Sequence, residues 1–131
     1  MNLLNNRAKL EVIRHLRATK NKIDVRPGKC RFNYRCQCNA VHEAIRKKQS
    51  KIAMCMYIDG NCPIIHFVNV SKKGKFKDNT LGNWAINHEY FFIKYIDDVD
   101  YFNVDDVFNS YSKELRKQLT FFTRLLSNIN F

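Results

Sequence analysis

The chain has 131 residues, enough for one hydrophobic core and short of the size at which a second becomes usual, so a single domain spanning 1–131 is expected. Hydrophobic residues at 45% and charged residues at 27% exclude wholesale disorder, and the longest apolar run, "IAMCMYI", is far below the roughly 18–20 residues that a membrane-crossing helix needs. The net charge of +11 is unevenly spread, with +10 on residues 1–50 and +1 on residues 51–131. A basic face of that kind suits nucleic acid, an acidic protein, an anionic membrane surface or simple solvation, since charge alone does not choose a partner.

Leu4, Ala8, Val12, Ile13 and Leu16 recur at helical spacing, while Arg7, Arg14 and Arg17 fall mostly elsewhere on the wheel, which predicts an amphipathic first helix. Charged residues interrupt this segment too often for a secretory signal, so no export is expected and the location is read as cytoplasmic. The helix should stop before "RPG" at 26–28, because Pro27 disfavours a helical residue before it and Gly28 readily turns. After the loop "KCRFNYR", a second helix is predicted over 37–48 with Ala40, Ala44 and Ile45 as its buried stripe.

The period then changes. Strands are predicted at "KIAMCMYI" (51–58), "CPIIHFVNV" (62–70), "GKFKD" (74–78) and "YFFIKYI" (90–96), with "SKKG" turning the chain between the second and third. Beyond the acidic loop "DDVD", residues Val107, Phe108, Tyr111, Leu115, Leu119 and Phe122 predict a C-terminal helix over 104–126. The fold class is α+β, with helices packed on a small, mostly antiparallel sheet.

Five cysteines (Cys30, Cys36, Cys38, Cys55 and Cys62), an odd number in a chain without an export signal, read as reduced thiols. Cys36 and Cys38 stand where the second helix begins. A thiol there meets the positive end of the helix dipole and unpaired N–H groups, which favour the thiolate. Such a nucleophile needs an imidazole to take and return a proton, and a third group to orient the ring. His66, in the middle of an otherwise apolar strand, is the candidate base, because a buried ring requires a polar partner. A hairpin turn centred near Lys72 would bring Asp78 or Asn79 opposite His66 or within one residue of it.

"CQCNA" opening a helix, then "HFVNV", then "KFKDNTLG" resembles papain-like and transglutaminase-like thiol enzymes, whose order is nucleophilic Cys on a helix, His on a strand, and Asp or Asn on the next. Small bacterial and phage proteins with CxxN, then HF or HS, then DxT are similar as well. The likeness spans residues 34–82. It implies a papain-like core, with Cys36 as nucleophile (Cys38 the alternative), His66 as base, Asp78 as orienter, and Asn39, Asn79, Thr80 and Gln37 in support. It further implies hydrolysis or acyl transfer on a protein or small acyl substrate, an amide or thioester, without a cofactor. A phage-encoded protein would act on a host component in the host cytoplasm. One departure is that papain-like peptidases carry a Gln about six residues before the nucleophile, where this chain has Cys30; the Cys36 N–H and the side chain of Asn33, Gln37 or Asn39 are the remaining oxyanion donors.

Three readings compete for the same residues. Cys30, Cys36, Cys38 and His42 could ligate zinc, although their spacing lacks paired knuckles. The stretch "RFNYR", with Arg31, Phe32, Tyr34 and Arg35, mixes cations with aromatics in a way that suits single-stranded nucleic acid. A non-enzymatic protein could instead present its basic helix to an acidic host partner. Cys55 and Cys62 read as small core residues, and His15 and His88 as surface or helix-end residues.

Overall fold

The computed structural model describes residues 3–31, 35–48, 50–127, 129 and 131. The first helix, α1 (Leu3–Thr19), buries Ala8, Val12, Ile13 and Leu16, the stripe that periodicity predicts. Two very short strands follow, β1 (Lys22–Ile23) and β2 (Val25–Pro27), where only a helix stop was expected. The helix α2 (Cys36–Arg46) starts one residue earlier and ends two residues sooner than predicted. It buries Asn39, Ala40, Glu43 and Ala44, whereas Ile45 is exposed. The burial of Asn39 and Glu43 shows that this face is held by polar contacts as well as by apolar ones.

Strands β3 (Lys51–Asp59) and β4 (Cys62–Val70) form a hairpin in unbroken register about the turn at Gly60, whose φ of 63° suits glycine. A second turn leads to β5 (Phe76–Asp78), two residues shorter at its start than predicted. There the Gly74 N–H donates to the Ser71 carbonyl (2.9 Å), and Gly74 adopts φ 76°. A 3-10 turn over Gly82–Asn87 leads into β6 (Glu89–Ile96), and a second one, Asp98–Asn103, occupies the acidic loop. The predicted C-terminal helix is two helices, α3 (Val104–Lys117) and α4 (Phe121–Leu126). The break arises because Glu11 of α1 accepts from the Thr120 N–H (3.1 Å) and hydroxyl (3.0 Å) and from the Thr123 hydroxyl (3.2 Å), satisfying the start of α4 from outside. The side chain of Phe122 lies outside the described set.

The sheet order is β1-β6-β3-β4-β5-β2, antiparallel at every pairing except β2 with β5. Only Asp24 separates β1 from β2, yet they lie on opposite edges, so the sheet must curl until its edges nearly meet. Small residues suit the inside of such a curl, and Ala53, Cys55, Val68 and Val70 line it together with Tyr57, Tyr90, Val25 and Ala85. The outer face carries Ile52, Met54, Met56, Ile58, Ile65 and Phe67 against the buried stripes of α1, α2 and α3. No helix among the described residues is long and apolar enough to cross a membrane.

Candidate active site

His66 projects from β4 into the curl, opposite Cys55 of β3. Its Nε2 lies 2.7 Å from Asp78 Oδ2, and both side chains are buried, at 3% and 0% exposure. The β4–β5 register, extended by one residue, sets Asp78 opposite Val68, so the carboxylate reaches His66 along the diagonal rather than from the directly opposite position that a turn near Lys72 implied. Asn79, the other residue expected near His66, is turned away from it. Its Oδ1 accepts from the Lys29 N–H (3.2 Å), and its amide donates to Asn69 Oδ1 (2.9 Å).

Asp78 has all four acceptor positions filled. Oδ2 takes His66 and the Tyr90 hydroxyl (2.7 Å), while Oδ1 takes the N–H groups of Thr80 (2.9 Å) and Leu81 (2.8 Å). Burial would raise its pKa, but the His66 partner and these donors outweigh burial and hold it at about 2. The same contest governs the ring. Burial pulls the His66 pKa down, and Asp78 and Cys36 beside the ring push it up to about 9. The buried pair is therefore a carboxylate and an imidazolium at neutral pH.

Cys36 is the first residue of α2, half-buried against the outer core, and stands beside the His66 ring, near enough to raise its pKa. With Nε2 engaged by Asp78, Nδ1 is the nitrogen left for the thiol. The Cys36 thiol also donates to Gln37 Oε1 (3.1 Å). The N-cap residue of α2, Arg35, makes no side-chain cap to its first turn. Cys38 stands two residues on, about 200° around the helix, and is exposed.

The CxxN and DxT patterns meet here physically. Asn39, one turn after Cys36, donates through its amide to the Thr80 hydroxyl (3.0 Å), two residues after Asp78. A second strut runs from Asn79 through Asn69 to the Ala40 carbonyl (2.9 Å). Both tie the start of α2 to the loop after β5. Asn39 is buried, and its amide braces the Thr80 hydroxyl; Asn33 lies outside the described residues. Gly28 closes the far side. Its N–H donates to the Asp78 carbonyl (2.8 Å), and a Cβ there would strike Asn79 and lie 2.7 Å from that carbonyl.

Three ring-bearing residues of the site escape a linear reading. Tyr90 faces Asp78 because a β-bulge in the β3–β6 pairing, at Met54/Cys55, resets the alternation of β6. Tyr57 packs edge-on to His66 (centroids 5.0 Å) and also meets His88 (5.0 Å), so His88 has a partner ring that the sequence did not suggest. The Tyr57 hydroxyl is pushed up to about 12, by burial first and then by the charges of Asp59, Cys36 and Asp78, and stays protonated. Alternation alone could have flagged Tyr57, two residues after Cys55 on the same face.

The competing readings are placed as follows. Among the described residues no three His, Cys, Asp or Glu side chains converge as metal ligands; Cys30 is exposed and bridges to Leu81 in an isolated antiparallel pair. Phe32 and Tyr34 of "RFNYR" lie outside the described residues, which include only Arg31 and Arg35 of that group. Cys55 is fully buried and its thiol is pushed up by burial, while Cys62 is half-buried at the β3–β4 turn. No family model matches the chain, and no curated protein or solved structure matches it.

Proposed function

We propose that the protein is a thiol hydrolase or acyl transferase with a papain-like core, in which Cys36 attacks the carbonyl carbon of an amide or thioester. The observation that carries this is the buried His66–Asp78 pair, closed at 2.7 Å, with Cys36 at the start of α2 beside the ring. For attack the Cys36 proton passes to His66, the arrangement that a cation beside a sulfur favours. The sulfur–carbonyl bond forms as the carbonyl π pair moves to oxygen, where the first-turn N–H groups of α2 and the Gln37 amide, once rotated, can donate. Collapse expels the amine or thiol, which takes its proton from His66, and leaves a thioester on Cys36. Water or another nucleophile then gives its proton to His66 and attacks the thioester, releasing the acyl product and Cys36. Asp78 holds the ring and its charge throughout.

The half-buried sulfur favours a small acyl group or an extended segment of a protein. Five free thiols favour a reducing compartment, the cytoplasm, and for a phage-encoded protein the cytoplasm of its host. Incubation with a small activated thioester tests the reading. We expect a burst of released thiol matching the enzyme concentration, with the acyl group recovered on Cys36 by mass spectrometry. Cys36→Ala should remove both while keeping the native circular dichroism, because a half-buried thiol contributes little packing. Acylation of another cysteine, or unfolding of Cys36→Ala, would contradict it.

A further inference from the structure

We infer that the cleft beside the β4–β5 turn is a binding site for single-stranded nucleic acid, separate from the thiol group. The cleft holds about 460 Å³. It is lined by Lys72, Lys73 and Lys75 of the turn, Lys77 of β5, Arg26 of β2 and Lys47 beyond α2. The folded chain thus unites cations of the basic first half with those of a segment whose charge is otherwise balanced. Glu43 is the only carboxylate lining this cleft, and it is already occupied, by Lys29 (3.5 Å), Arg46 (2.9 Å) and Lys47 (3.3 Å). Arg26, Lys72, Lys73, Lys75 and Lys77 form no ion pair among the described residues, so they retain their charge for a ligand.

A second cleft of about 520 Å³ lies across the turn, shares Ser50, Ser71 and Lys72 with the first, and adds Lys48 and Lys51. Its carboxylate is Asp98, which stands beside Tyr101. Two cationic clefts joined over one turn make a track, which suits a polymer of phosphates better than a single small anion. Each also holds an aromatic ring. Phe76 lines the first and Tyr95, half exposed, lines the second, linked through Phe92 at centroid distances of 6.1 and 4.9 Å. Rings set among cations favour unpaired bases, which stack, over a phosphopeptide or a lipid surface, which would leave the rings unused. Cys36 stands seven residues from Glu43 along α2, about 10 Å, so this track and the thiol can fail independently.

Fluorescence anisotropy with a labelled mixed-sequence twelve-nucleotide single strand, on the full chain, tests this. We expect binding at about 50 mM salt that weakens about 50- to 130-fold at 200 mM, the response to four or five phosphate contacts on a single strand. Lys73→Glu with Lys75→Glu, both exposed, should weaken binding at least about tenfold and flatten the salt slope. Arg14→Glu with Lys117→Glu makes the same change in net charge away from the track and should weaken it less than about threefold. Tyr95→Ala should cost about tenfold with an unaltered salt slope, the mark of lost stacking. The proposal is overturned by absence of binding at 50 mM salt, by equal loss in the two charge-reversed doubles, by base-free polyphosphate competing as well per charge, or by preference for anionic vesicles. None of these readouts depends on Cys36 reactivity.

Discussion

Asp78 sits at 0% exposure with a carboxylate that accepts four hydrogen bonds, two of them from groups that only the folded chain brings near it. Such a residue tolerates little change. His66→Ala leaves that charge buried beside neutral donors, and by the cost of splitting a buried pair it should lose about 3–5 kcal/mol in urea denaturation. Tyr90→Phe removes one donor to a charged acceptor and should lose about 1.5–3 kcal/mol while keeping Cys36 reactive, since the His66 contact remains. The central Cys, His and Asp were legible because each residue type has a chemical reason to stand at a helix start, in an apolar strand and on the next strand. Tyr90 was not, because its face depends on a bulge formed with β3, and His88 was not, because its partner Tyr57 lies thirty-one residues earlier.

At the level of elements, the site depends on how tightly β2 lies along β5. Gly28 has no room for a methyl group between Asn79 and the Asp78 carbonyl, so Gly28→Ala should destabilise the protein by about 1–3 kcal/mol, the usual cost of overpacking, and shift Asp78 away from His66. An upfield change in the His66 ring N–H proton, read by NMR, would report the shift; an unchanged signal would mean that the strand yields elsewhere. The sequence marked Gly28 for a turn, whereas its use is close approach of two backbones. Strand β4 begins and ends where alternation and the flanking turns place it, because its residues are dictated locally. The helix break at 118–120 escaped notice since Leu115 and Leu119 are both buried at unbroken spacing, and the group that caps α4 is Glu11, more than a hundred residues away. The strands of two and three residues escaped for a similar reason: only the edges they complete make them strands.

The molecule as a whole carries its buried charges in a pattern that fixes its response to pH. His66 has a folded pKa raised from 6.5 to about 9, so its stabilisation is full below about 6.5 and lost as pH rises through about 9. Asp78 and Glu43 are lowered from 3.8 and 4.5 to about 2, so theirs is full above about 4.5 and lost as pH falls through about 2. Because His66 and Asp78 report one contact from two sides, their effects are not added. Urea midpoints should form a plateau between about pH 4.5 and 6.5 and decline on either side; a midpoint still rising between pH 7 and 9 would contradict the buried imidazolium. The curl of the sheet and the joining of two basic segments into one track belong to this scale too. Neither is visible along the chain, since both follow from β1 and β2 closing opposite edges.

Thiol reactivity separates environment from accessibility. Cys30 and Cys38 are exposed, while Cys36 is half-buried, so alkylation governed by access would modify Cys38 and Cys30 first. With His66 and Asp78 acting on the sulfur, iodoacetamide near pH 6, followed by peptide mapping, should modify Cys36 at least about tenfold faster than either, since ordinary thiols are almost wholly protonated there. Faster modification of Cys38 or Cys30 would mean that Cys36 is no nucleophile and that the buried pair beside it serves only the fold.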